Sequence, residues 1–146
     1  MNTPPNDPRA ARVIAFFERL KPEDVARLSR VYAANAYFRD PFNEVRGIPG
    51  IARIFDDMFA RLEDCRFVIR EAVVDEAGIV LTWDFRFRIR RFRPGTLQSI
   101  HGASHLKFDA AGRIAYHRDY WDAAEELYAK LPVIGPVMRF LRRRLA

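Results

Sequence analysis

From Ile79 to Phe92 the chain reads IVLTWDFRFRIRRF, and through most of that run apolar and charged side chains take strict turns. Trp83, Phe85, Phe87 and Ile89 share one parity, and Asp84, Arg86, Arg88 and Arg90 share the other. A period of two marks an extended strand, because successive Cβ atoms point to opposite sides of the pleat. One face must therefore be covered by other structure while the other meets water or a partner. Strand-like runs at Arg66 to Asp75, Leu97 to Phe108 and Arg113 to Asp122 flank it. Short turns join them, Glu76-Ala77-Gly78, Arg93-Pro94-Gly95 and Asp109 to Gly112, as in an antiparallel meander.

The cover comes from upstream. Val13, Phe16, Phe17 and Leu20 recur at helical spacing, and Lys21-Pro22-Glu23-Asp24 then breaks the run and opens a second helix carrying Val25, Leu28 and Val31. A short strand, Ala36 to Asp40, ends in a loop that Pro41 and Gly47 enforce. Gly47-Ile48-Pro49-Gly50 opens a third helix, whose stripe of Ile51, Ile54, Phe55, Met58, Phe59 and Leu62 faces away from Arg53, Asp56, Asp57 and Arg61. The expected architecture is α+β, with the N-terminal helices packed on the concave face of a strongly bent antiparallel sheet. Residues 1–8, rich in Pro and Asn, read as a flexible leader, 9–124 as the domain, and 125–146 as a helical extension. The extension ends in VMRFLRRRLA, a basic amphipathic helix. Docking on the domain edge is favoured for it over contact with a membrane surface.

With 146 residues one domain is expected. Cys65 stands alone, so no internal disulfide forms, and no CxxC or Cys/His spacing surrounds it. No apolar run approaches the roughly twenty residues of a membrane span, and the N-terminus lacks the apolar core of a signal peptide, so a cytoplasmic protein is expected. The net charge of +6 gathers in two arginine clusters, at Arg86 to Arg93 and at Arg139 to Arg144. Charge is the only feature that points to nucleic acid, and a solvated basic face accounts for it.

The chemistry concentrates in RIAYHRDYWD, Arg113 to Asp122. Alternation places His117, Asp119 and Trp121 on one face and Tyr116, Arg118 and Tyr120 on the other. An imidazole, a carboxylate and an indole in a row are costly as plain core, because buried charge needs a partner. They predict an apolar pocket with a polar floor. Asp40 is a second carboxylate to weigh, either a general base in an apolar cavity or an acceptor for backbone amides in its own Asp-Pro turn. His117 reads as an acid/base group or as a core histidine satisfied by a carboxylate, and Asp119 as its neighbour at one ligand or as an ion-pair partner of Arg39 or another nearby arginine. His101 and His105 fall outside the pocket by parity, and no metal site is expected.

The motifs YFRDPFNEVRGIPGI (Tyr37 to Ile51), HLKFDAAGRI (His105 to Ile114) and YHRDYWD (Tyr116 to Asp122) resemble the nuclear transport factor 2-like superfamily. Ketosteroid isomerases, scytalone dehydratase, limonene epoxide hydrolase and SnoaL-type polyketide cyclases share its cone-shaped fold. The resemblance runs from about Arg9 to about Ala124 and implies fold more than activity. It puts Asp40 where ketosteroid isomerases keep a proton-shuttling aspartate and turns His117, Asp119 and Trp121 into the cone. Their oxyanion donors correspond to Phe16 and Ser104, and Phe16 has no donor, so steroid isomerisation is rejected.

The candidate catalytic residues are thus Asp40, His117 and Asp119, and the candidate pocket residues Phe16, Phe55, Phe59, Trp83, Phe85, Ser104 and Trp121. Two function classes fit. One is binding of a small apolar molecule with cofactor-independent acid/base catalysis of the SnoaL cyclase, dehydratase or hydrolase type. The other is a non-catalytic ligand-binding or interaction domain. A homodimer fits the superfamily, provided acidic residues interleave with Arg86, Arg88 and Arg90.

Overall fold

A computed structural model describes residues 6–90, 96–123 and 134–145. Asp7 caps the first helix, α1 (Pro8–Glu18), by accepting hydrogen bonds from the backbone N–H groups of Arg9 and Ala10. Pro8 takes the first helical position, where a missing N–H costs nothing. Ala10, Val13 and Phe17 form the buried stripe of α1. The segment from Pro22 to Arg30 is a 3-10 helix with a break at Arg27, and it buries Val25 and Leu28. Gly47, at φ +94°, leads into α2 (Ile48–Arg61), which buries Ile51 and Phe55. A final helix, α3 (Ile134–Leu145), exposes Phe140, Leu141 and Leu145, with the Arg144 guanidinium over the Phe140 ring. No helix among the described residues is long and apolar enough to cross a membrane.

Six strands form one curved, unclosed mixed sheet in the order β2-β1-β6-β5-β4-β3. They are β1 (Tyr32–Arg39), β2 (Glu44–Arg46), β3 (Leu62–Val74), β4 (Ile79–Ile89), β5 (Leu97–Phe108) and β6 (Ile114–Tyr120). The last four make the expected antiparallel meander. Residues 91–95, which include the Arg93-Pro94-Gly95 turn, and most of the AAEELYAKL segment lie outside the described residues.

The start of the sheet differs from the sequence reading. β1 begins at Tyr32 rather than Ala36, and Val31 leaves the helical pattern to accept a hydrogen bond from the N–H of Ile114 at 2.8 Å. Its neighbour β6 is parallel to it and far along the chain, so no local signal announces the strand. The loop expected between Asp40 and Gly47 also holds a short strand, β2, paired antiparallel with the end of β1. The pairing of β1 with β6 puts the first and last strands of the sheet side by side, and the candidate site forms there.

Alternation in β4 is as expected. Trp83, Phe85 and Phe87 are buried, while the outward residues meet acidic neighbours. Arg88 reaches Asp64 at 3.1 Å, Arg90 reaches Glu63 at 3.5 Å, and Arg70 reaches Asp84 at 2.6 Å. Acidic residues do interleave with the arginines on this face. Such exposed pairs contribute about 0–1 kcal/mol each, so they shape the surface more than they stabilise it.

Candidate functional site

His117 is the centre of the polar floor, and the side chains around it come from four strands and one helix. Its ring is 3% exposed. The edge of Phe17 from α1 packs on it at 5.7 Å, Phe38 from β1 lies at 4.7 Å, and Tyr32 stacks at 5.9 Å with planes 6° apart. Both ring nitrogens are engaged. Nδ1 stands 2.7 Å from the Tyr32 hydroxyl, and Nε2 stands 2.7 Å from Asp119 Oδ1.

Tyr32 is fully buried. Burial, with the charge of Asp119 adding to it, pushes its hydroxyl well above the ordinary tyrosine range, so it keeps its proton. The Asp119 carboxylate accepts from Nε2, and in the neutral tautomer that carries its hydrogen there, Nδ1 accepts from the Tyr32 hydroxyl. Ser104 donates to the same Asp119 oxygen at 2.5 Å, and Trp83 Nε1–H donates to Ser104 Oγ at 2.9 Å. The donors thus run inward from both sides, Tyr32 through His117 and Trp83 through Ser104, and converge on one carboxylate. Ser104 and His117 are the buried polar residues of the core, and no buried side-chain N or O among the described residues lacks a partner. A fully satisfied network of this kind holds its members in one geometry.

Asp119 stands where this network meets open space. A pocket of about 470 Å³ lies above it, walled by residues including Phe38, Phe55, Phe67, Phe85, Ile100 and Trp121. A second cavity of about 20 Å³, the size of one water, lies beneath, between Ser104, His117 and the rings of Phe17 and Phe67. Asp119 lines both, and its side chain is 17% exposed.

Asp40 also faces the larger pocket, but its bonds are local. Its Oδ1 accepts from the backbone N–H of Phe42 at 2.8 Å and of Asn43 at 2.7 Å, and the Asn43 side-chain amide reaches both carboxylate oxygens at 3.1 Å. The structure therefore brings His117, Asp119 and Ser104 together and sets Asp40 at the rim. Trp83, Phe55, Phe85 and Trp121 line the pockets. Phe16 and Phe59 are half-buried against the core and line neither; on α1 it is Phe17 that faces inward. Asp119 makes no ion pair with Arg39 among the described residues, and Arg39 lies 3.7 Å from Glu44. His101 bonds Asp84 on the outer face and His105 packs on Tyr116, outside the pocket as parity predicts.

Sequence reasoning missed Tyr32 and Phe38, which share β1. Tyr32 followed a helical pattern and carried no signal of its own. Phe67 was legible in principle, because Phe67 and Ile69 alternate with Arg66 and Arg70 along β3. Among the described residues no group of three or more His, Cys, Asp or Glu side chains converges in a way that would hold a metal ion.

A family model for the SnoaL-like domain matches residues 13–117, a span that begins within α1 and ends at His117, just before Asp119 and Trp121. The chain belongs to the SnoaL-like family. The SnoaL-like fold recurs in solved structures of low sequence identity. An LEH-like epoxide hydrolase of M. tuberculosis matches with a TM-score of 0.69 at 20% identity, over 97% of this chain and 96% of that one. A protein of Catenulispora acidiphila with a ketosteroid isomerase-like fold, solved with trimethylamine, matches with a TM-score of 0.69 at 17% identity, over 86% and 92%. A candidate polyketide cyclase from Acidithiobacillus ferrooxidans matches with a TM-score of 0.70 at 18% identity, over 86% and 94%. At these identities the likeness is one of fold. No curated protein matches the chain.

Proposed function

We propose that this SnoaL-like protein binds a small, largely apolar molecule in the 470 Å³ pocket and that Asp119 acts on it as a general base. One observation carries the reading: the carboxylate that ends the Tyr32–His117 and Trp83–Ser104 relays is also the one that borders the apolar pocket. Both relays bond Oδ1, and Oδ2 accepts no hydrogen bond among the described residues. A base held in one orientation, with an oxygen open to the ligand, is what proton abstraction from a carbon beside a carbonyl requires. When Asp119 takes a proton, the His117 and Ser104 donors remain in place to favour its return to the charged form. The proton passes from the ligand carbon to Asp119 and the C–H electron pair moves to the ligand's carbonyl oxygen as an enolate, and return of a proton to carbon restores the carbonyl.

Proton abstraction can be tested without the natural substrate. Aryl ketones incubated with the protein in D2O lose the NMR signals of their α-protons if a base removes them. The wild type is expected to accelerate that loss, and Asp119→Asn to slow it by about 100-fold or more, the usual contribution of a positioned base. Equal rates in the two proteins, with the ketone bound, would identify a binding domain and end the catalytic reading.

A further inference from the structure

The pocket wall is net acidic, on a chain that is net basic. Three carboxylates, Asp40, Asp57 and Asp119, and one guanidinium, Arg61, line it, whereas the chain as a whole is at +6. Asp57 and Arg61 stand exposed one turn apart on α2, where solvent screens both and their charges offset. That leaves Asp40 and Asp119 to set the field inside. Asp40 is bonded by the amides of Phe42 and Asn43, and Asp119 by the Ser104 hydroxyl and by Nε2 of His117. Arg39 and Arg118 border an outer cavity that Asp40 and Asp119 share with Asp122, Arg39 beside Glu44 and Arg118 over the Tyr120 ring, so carboxylates outnumber guanidinium groups there as well.

A pocket in which carboxylates outnumber cations, against a wall of aromatic rings, makes a poor host for an anion. A ligand carboxylate or phosphate entering here would lose its water and meet like charge. A cationic nitrogen would meet carboxylate and the aromatic rings of the wall, Phe42 and Trp121 among them. We infer that the ligand of this pocket is an amphiphilic amine, its ammonium group held by Asp40 at the rim and its apolar body against Phe85, Phe87 and Ile100, with the reacting C–H toward Asp119. The inference rests on the reading above and adds the ligand's charge and a role for Asp40. Asp40 is a binding residue here, and the turn bonds that hold its carboxylate leave lone pairs of Oδ2 for the ammonium.

The test uses three probes that share one body and differ in charge: 4-phenylbutylamine, 4-phenylbutanol and 4-phenylbutyrate. Trp83 and Trp121 both line the pocket, so tryptophan fluorescence of the full chain reports occupancy. The amine is expected to bind about tenfold more tightly than the alcohol, a difference of about 1.4 kcal/mol, and the butyrate more weakly than either. This order opposes the one that the net charge of +6 would impose at long range. Asp40→Asn keeps the turn acceptor and removes the charge, and it should collapse the amine-to-alcohol ratio toward one. Binding of all three without that order, or an amine preference that survives Asp40→Asn, overturns the inference while leaving the apolar pocket in place. Failure of all three to bind overturns both readings.

Discussion

Asp40 and Asp119 face one pocket, yet different kinds of structure hold them. The bonds of Asp40 all return to Phe42 and Asn43, two and three residues ahead, so four consecutive positions suffice to orient it. Asp119 is held by Ser104 from a neighbouring strand and by His117, which Tyr32 orients from the far end of the domain's sequence. A locally held carboxylate can be moved or replaced with its turn, whereas a network-held one transmits any change in four strands to its own geometry. The first suits a contact with a ligand; the second suits a proton transfer, where small displacements of the base are costly.

That contrast orders the expected effects. The widest separation is between Asp119→Asn, at about 100-fold or more on α-proton exchange, and Asp40→Asn, at about tenfold on amine affinity. If Asp40→Asn proves the larger loss in exchange, the roles are reversed. Next comes Gly102→Ala. Gly102 lies opposite Trp83 on β5, and a Cβ there would fall 2.5 Å from the indole Cη2. Displacing that ring strains the core and breaks its bond to Ser104, at a cost of about 1–3 kcal/mol in urea unfolding. An unchanged midpoint would mean that the Trp83 arm of the network is slack. Tyr32→Phe removes the hydroxyl but keeps the ring, and leaves Nδ1 of a buried histidine without its donor, a loss of about 1–3 kcal/mol. It should also slow proton exchange, because the imidazole hydrogen is no longer directed to Nε2; full retention of the rate would show that Asp119 needs no orienting relay. The smallest change is expected of Asp40→Ala, about 1 kcal/mol or less, since water replaces the partners of a surface turn. A larger loss would place Asp40 among the residues that hold the sheet together.

Much of this was legible before the fold was known. Period-two alternation specified the meander and sorted its side chains, so that Trp83, Phe85, His117, Asp119 and Trp121 could be assigned to the inner face and His101 and His105 to the outer. Helical spacing specified α1 and α2. These signals are local, and a strand's faces follow from its own residues. The motif around Asp40 was local too, and both of its readings were open because an Asp-Pro turn looks alike whether or not a ligand sits above it.

What the tertiary structure decided was adjacency. Tyr32 could not be recognised as a partner of His117 because 85 residues separate them and the parallel pairing of β1 with β6 brings them together. The choice of Phe17 over Phe16 depended on the rotation of α1 against the sheet, which the spacing of apolar residues leaves undetermined to within a position. The convergence of two donor relays on Asp119 likewise belongs to no segment of the chain. Periodicity sets which way a side chain points, and only the packing of distant strands sets what it meets there.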